Sequence, residues 1–311
     1  VSVALCLLLY AVLVATTAPL LLPYLTRAGR APRAAIAAWL LVLASVAAAW
    51  TAGGIGLAVD AAEHWGRPEP MGLSACLARV LSTTAHTGLI IEATLAATAL
   101  TLVGVVVTRV ARLMRGARTQ GRRHAATARM VGHHLADIDS VRIDAPDKIV
   151  YCVGGQTGVT VVTSAALDAL TRPELLAVLA HERAHVDGGH HALLTATRAL
   201  SAAMPRTALV TVAHAQIAQL VEMCADDTAA HRHGTPVLLQ AMLALAGAGP
   251  LPLGALGANG IGLADRITRL NQPGTAVQCW RSRIALAASA GALLAAPPWL
   301  AGLGTCALML S

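Results

Sequence analysis

Four stretches of the chain are apolar for longer than a globular core needs. Residues 2 to 25 carry only apolar or small uncharged side chains, Ala34 to Val59 form a second run, Gly88 to Thr108 a third interrupted by Glu92, and Ile284 to Leu310 a fourth. A helix that crosses a bilayer needs about 20 such residues, so all four are predicted spans. The first is longer than the apolar part of a signal peptide and no basic region precedes it, which favours a span over a cleaved leader. Pro297-Pro298 are expected to kink or break the fourth. Glu92 stands a helical turn or two from the adjacent connection, where partial hydration at the interface is the simplest account of a carboxyl group in a span.

Between the third and fourth runs the pattern changes. Lys148 to Val153 and Gly158 to Thr163 read as two short strands joined by a Gly-rich turn at Gly154-Gly155, a hairpin that either packs the next helix or presents an edge to an extended peptide. That helix has Thr171 as N-cap, Pro173 in its first turn and Glu174 at the capping-box position. Leu175, Val178, Leu179, Glu182 and Val186 form a stripe with a polar edge, and Gly188-Gly189 end it. Ala192 to Ala213 is apolar, but Arg198, Pro205 and Arg206 favour a helix pair or interfacial segment over a full span. Gln219 to Asp227 reads as a further helical stretch, and residues 243 to 263 as an apolar loop against the membrane. The expected fold is mainly α: a membrane domain at 1–110, an α+β domain with a β-hairpin at 111–283, and a fourth transmembrane helix at 284–311.

Composition agrees. Charged residues are 13% and aromatics 3% of the 311 residues, far from an ordinary soluble domain. The net charge of +7 comes largely from arginines at the ends of the apolar runs. Arg27, Arg30 and Arg33 follow the first, Arg109 to Arg129 follow the third without an acid, and Arg281 and Arg283 precede the fourth. The positive-inside rule then puts these segments and the 111–283 domain on the cytoplasmic side, the Asp60 to Thr87 connection and both termini outside. Arginines flanking spans are inner-leaflet anchors, so no direct nucleic-acid partner is expected. The six cysteines form no CxxC pair and straddle the predicted compartments, so no disulfide framework is inferred. Abundant alanine, arginine in place of lysine and absent phenylalanine suggest a GC-rich bacterial genome, hence a multi-pass protein of the bacterial inner membrane.

The chemistry sits at His181-Glu182-Arg183-Ala184-His185, an HExxH pattern. Residues four apart share a helix face, so two imidazoles can ligate one Zn2+ while Glu182 reaches the metal's water as general base. Zinc lowers the pKa of that water from about 15.7 towards roughly 7, giving a nucleophile for a polarised peptide carbonyl. A catalytic zinc takes three protein ligands, and Glu222 is the best candidate for the third, with Asp226 one turn on to accept a hydrogen bond from a ligating imidazole. The competing reading is an exposed acidic face; Cys224 is a softer rival ligand, but a His/His/Glu set needs no thiolate. His231 and His233 are candidates for stabilising the tetrahedral oxyanion. His190 and His191 have either a polar or an accessory metal role.

Val161-Val162-Thr163-Ser164, LLAVLAHERAH at Leu175 to His185, EMCADD at Glu222 to Asp227 and ADRITRL at Ala264 to Leu270, taken in order over residues 140 to 270, resemble the BlaR/MecR-type integral-membrane zinc metallopeptidases. The resemblance implies a zincin-like cytoplasmic domain with one Zn2+ on His181, His185 and Glu222, Glu182 as base, and cleavage of a protein substrate, a cytoplasmic transcriptional repressor in the better-known members. Two departures stand out. No penicillin-binding sensor domain is expected between the last span and Ser311, and His190 stands where that family often has Asp. The alternative within proteolysis is the class of membrane zinc peptidases that clip prenylated or misfolded membrane proteins, which shares HExxH followed by ExxxD. A non-catalytic receptor or scaffold that uses metal for stability is the alternative of another class; a structural site has no need of Glu182.

Overall fold

The computed structural model describes residues 3–26, 28–65, 74–153, 158–246, 262–272 and 274–309. The turn at Gly154-Gly155, most of the 243 to 263 loop and Leu310 lie outside them. The chain divides into two compact units: residues 1–20, 40–108 and 287–311 form one, residues 21–39 and 109–286 the other.

Long helices build the first unit. Helix α1 spans Val3–Thr26, α2 Pro32–Trp65, α3 Ser74–Val131 and α10 Ala276–Met309. Small residues let α1, α2 and α3 pack closely, as is usual where lipid removes the hydrophobic drive between helices. A Cβ on Gly53 would stand 2.9 Å from Leu8, one on Gly56 3.0 Å from Ala4, and one on Gly54 3.2 Å from Ala99. Ala4, Leu57 and Ala96 form the buried cluster beside these contacts, while Leu9, Leu13, Ile90 and Val107 are exposed. Glu92 is partly buried on α3.

Two expectations change. The helix of the third apolar run does not end at Thr108, because α3 continues through the arginine-rich segment to Val131. Pro297-Pro298 do not end the fourth predicted span, since α10 runs through them. Among the described residues, four helices are long and apolar enough to cross a membrane: α1, α2 from Pro32 to Glu63, α3 from Ile90 to Val131, and α7, Ala208–His233. Helix α7 carries Glu222, Asp226 and Asp227 and is buried along most of its length, so it is the core helix of the second unit and not a lipid-facing span.

The second unit adds a four-stranded sheet. Strands β1 (His133–Leu135), β2 (Ser140–Ile143), β3 (Val150–Val153) and β4 (Val159–Thr163) lie in the order β1-β2-β4-β3. The predicted hairpin is there as β3 and β4, antiparallel with Val150 opposite Val162 and Val153 opposite Val159. The strands β1 and β2 were not foreseen, being short and interrupted by His133, His134 and Arg142; β2 runs parallel to β4. Alternation along the strands gives the sheet two buried faces. Tyr151, Val153, Val159 and Val161 pack with Ala125 and Ala128 of α3, while Val150 and Val162 face Leu175, Val178, Ala241 and Leu245.

The helix layer comprises α4 (Ser164–Ala169), α5 (Arg172–Asp187), α6 (His190–Ala203), α7, α8 (Thr235–Leu245) and α9 (Leu263–Asn271). Thr163 turns the chain from β4 into α4: its hydroxyl donates to Asp147 O at 2.6 Å and accepts from the Ile149 and Ala166 amides. Helix α5 begins as predicted, with the Thr171 amide donating to Glu174 Oε2 at 2.7 Å, and Gly188 caps its end. The apolar segment from Ala192 is the expected helix pair, α6 and the first half of α7. Ala177, Ala225 and Ala229 are fully buried and keep α5 and α7 close.

Ala177→Leu should destabilise the second unit by about 1–3 kcal/mol, because a close-packed contact has no room for three more carbons. Thermal unfolding in detergent checks this against Leu176→Ala, where the wild-type side chain is exposed.

Candidate metal centre

Polar residues on the inner face of an apolar helix need partners there. His181, Glu182 and His185 on α5 are each 1% exposed, and across from them Glu222 and Asp226 on α7 are 4% and 0% exposed. His181 Nε2 and His185 Nε2 face each other at 3.1 Å. Glu222 places Oε2 3.5 Å from the first and Oε1 3.5 Å from the second. The ligand atoms of His181, His185 and Glu222 lie within 4.8 Å of one another.

The outer atoms of these groups are also held. His181 Nδ1 lies 3.1 Å from Asp226 Oδ1, where the sequence placed an orienting carboxylate. His185 Nδ1 lies 3.2 Å from Nδ1 of His190, whose buried imidazole stands behind the ligand ring. His191 is farther off, its ring 6.3 Å from that of His185. One Glu182 oxygen, Oε2, accepts the Cys152 amide at 3.1 Å; the other, Oε1, is buried without a hydrogen-bond partner among the described residues.

Arg266 was missed by sequence reasoning as a component of this cluster. It is 1% exposed on α9, with Nε and Nη2 on the two Asp226 oxygens at 2.7 and 2.6 Å and Nη1 3.1 Å from Glu222 Oε2. The signal was present: Leu263, Arg266 and Leu270 follow i, i+3, i+7 spacing, so the guanidinium lies on the same stripe as two apolar residues. Cys224 is buried on α7 but is not part of the three-residue cluster. His231 is not brought to the cluster either: it is exposed and lines a separate cavity with Arg30 and Asp227.

The charges decide what this arrangement wants. Three buried carboxylates, Glu182, Glu222 and Asp226, face one guanidinium, which leaves the equivalent of two positive charges lacking. Without metal, protons supply them. Burial disfavours a charged His181, but the Asp226 and Glu222 carboxylates close beside it win and raise it to about 10. Burial likewise pushes Glu182 up to about 8. His185 goes the other way, held down to about 3 by burial and by the cationic His181 beside it.

A divalent cation meets the same need in one step. Two imidazole nitrogens and a carboxylate oxygen are a usual zinc set, and tetrahedral ligands at about 2.0–2.1 Å from a metal stand about 3.3 Å apart, close to the 3.1 and 3.5 Å separations here. The residues fit Zn2+.

Residues 117–253 match the family model described as Peptidase family M48, which supports a metallopeptidase of the zinc-dependent kind. The matched stretch contains His181, Glu182, His185, Glu222 and Asp226, and ends before Arg266. No curated protein and no solved structure matches the chain.

Zinc binding near neutral pH should release close to the two protons held by His181 and Glu182, so affinity should rise steeply with pH up to about 8 and less steeply from there to about 10. Calorimetry in buffers of different ionisation enthalpy reads the proton count, and zero release would refute this charge balance. His190→Ala should weaken zinc binding by about 10–100-fold while His190→Asp restores most of it, as expected of a residue that orients a ligand from behind. Competition with a metal-sensitive dye measures both variants.

Proposed function

We propose that this protein is a membrane-embedded zinc endopeptidase that hydrolyses a peptide bond of a protein substrate. The observation that carries the reading is the Glu182 carboxylate beside the His181, His185 and Glu222 cluster, with Oε1 buried and free of other partners. A site that only held metal for stability has no use for it.

Zinc bound there supplies Lewis acidity and a water of lowered pKa. Glu182 then acts as general base: the Cys152 amide fixes Oε2, leaving Oε1 to take the proton and pass it to the leaving amine. His181, His185 and Glu222 serve as ligands, Asp226 and His190 orient the imidazoles, and Arg266 holds Glu222 and Asp226 ionised. The oxyanion is assigned to no side chain, since His231 lines another cavity. The substrate enters extended along β3, an edge strand whose Cys152 amide points at Glu182, so that main-chain pairing aligns the scissile bond.

The substrate reading follows the motif resemblance: a cytoplasmic, regulatory protein of the repressor kind, cut at the inner face of a bacterial membrane, a side for the second unit that the positive-inside rule supports. The quality-control or prenyl-protein type of membrane peptidase is the second reading, favoured by the spacing of Glu222 and Asp226 after HExxH.

Glu182→Gln should abolish cleavage, by at least about 100-fold for loss of a general base, while zinc stays bound. His181→Ala and Glu222→Ala should lose zinc and cleavage together. Metal analysis beside hydrolysis of an unfolded protein substrate checks all three; cleavage surviving in Glu182→Gln would remove this mechanism.

A further inference from the structure

A cavity lies in the same unit, beside α7 but not lined by the metal-cluster residues. Its volume is about 460 Å3, within the roughly 300–1,000 Å3 of small-ligand sites. Arg30, Arg33, Arg232 and Arg283 line it together with His231 and one acid, Asp227. Four parts of the chain converge here: the α1–α2 connection, the first turn of α2, the last turns of α7 and the start of α10.

The acid is already engaged. Arg269 Nη2 stands 2.6 and 2.7 Å from the two Asp227 oxygens, and Arg269 Nε donates to Gly29 O at 2.9 Å, which fixes the connection against α7 and α9. Gly29 has φ +58°, a backbone that favours glycine, and a Cβ there would meet Met223 and Arg269. The connection is further held where Thr26 Oγ1 lies 3.1 Å from Gln216 Oε1 and 3.4 Å from the Trp39 ring nitrogen. The cavity wall is thus built and not a chance meeting of surface chains. None of Arg30, Arg33, Arg232 and Arg283 makes an ion pair among the described residues. The first turn of α2 adds the positive end of a 34-residue helix.

Like-charged arginines around a cavity repel unless an anion sits among them. The chain context says which anion. Arg30 falls between two helices apolar enough to cross a bilayer and Arg33 in the first turn of the second, and Arg283 immediately precedes the apolar run from Ile284. Where an apolar run ends, the lipid phosphates begin, and basic pockets at that depth on the inner leaflet take anionic headgroups.

We propose that this cavity binds the phosphate of an anionic phospholipid headgroup. Because α7 carries both Glu222 and Arg232, a lipid held here ties the metal-cluster helix to the membrane surface. The inference rests on the membrane reading of the chain but not on peptidase activity.

The test uses the full chain, delipidated in a neutral detergent and titrated with phosphatidylglycerol, phosphatidylcholine or inorganic phosphate. Native mass spectrometry reads retained lipid and calorimetry reads phosphate. Phosphatidylglycerol should bind in preference to phosphatidylcholine, and Arg232→Ala with Arg283→Ala should weaken it roughly tenfold or more. Arg109→Ala with Arg112→Ala removes the same charge from the exposed face of α3 and should leave it unchanged. Arg30→Gln, at an exposed position, provides a second probe should the double variant fail to insert. Equal binding of the two lipids, or equal loss in the cavity and α3 variants, overturns the proposal. Phosphate that binds through Arg232 and Arg283 as tightly as phosphatidylglycerol assigns the cavity to a free phosphate and overturns the lipid assignment. Loss of lipid binding with cleavage intact separates this site from the metal centre.

Discussion

The second unit is organised around a charge problem placed in its core. Three carboxylates and two imidazoles are buried between α5 and α7, and Arg266 on α9 is the cation that reaches them. An uncompensated buried charge costs several kcal/mol, so α9 must dock through Arg266 for α7 to present Glu222 and Asp226 inward. The remaining deficit is divalent. Protons on His181 and Glu182 meet it in the metal-free protein, and a divalent cation on His181, His185 and Glu222 would meet it without them. In the mechanism proposed above, binding the metal would therefore remove the proton that Glu182 must lack to act as a base.

Packing makes this geometry possible. Alanines at 177, 225 and 229 bring α5 and α7 close enough for two imidazoles and a carboxylate to meet within 4.8 Å. The sheet contributes one decisive contact, the Cys152 amide on Glu182, which sets the direction of the carboxylate. A sheet edge, two helices and a guanidinium thus converge on a few ångströms, while the cationic cavity on another side of the same C-terminal half of α7 provides the contact proposed for lipid.

Much of this was legible in the residues. Thr171, Pro173, Glu174 and Gly188 delimit α5 through capping chemistry that is local in sequence, and the same locality places His181 and His185 on one face. The apolar runs mark α1, α2 and α3 because length and hydropathy alone decide them. What was not legible depends on distant chain. Strands β1 and β2 are only three and four residues long; β2 is placed by its pairing with β4 and by Val141 packing in the cluster with Ala125 and Ala128 of α3, and β1 by pairing with β2. Arg266 lies 40 residues from Asp226, and its partner could not be read from spacing. His190 looked like a departure from a family pattern until its ring was seen against His185.

The central claim is that His181, His185 and Glu222 hold one zinc ion while Cys152 and Cys224 do not. X-ray absorption at the zinc edge of the purified, zinc-loaded chain tests it most directly. The account predicts one zinc per chain with nitrogen and oxygen neighbours only, at about 2.0–2.2 Å. A sulfur neighbour at about 2.3 Å, or a folded protein that retains no zinc, would contradict it.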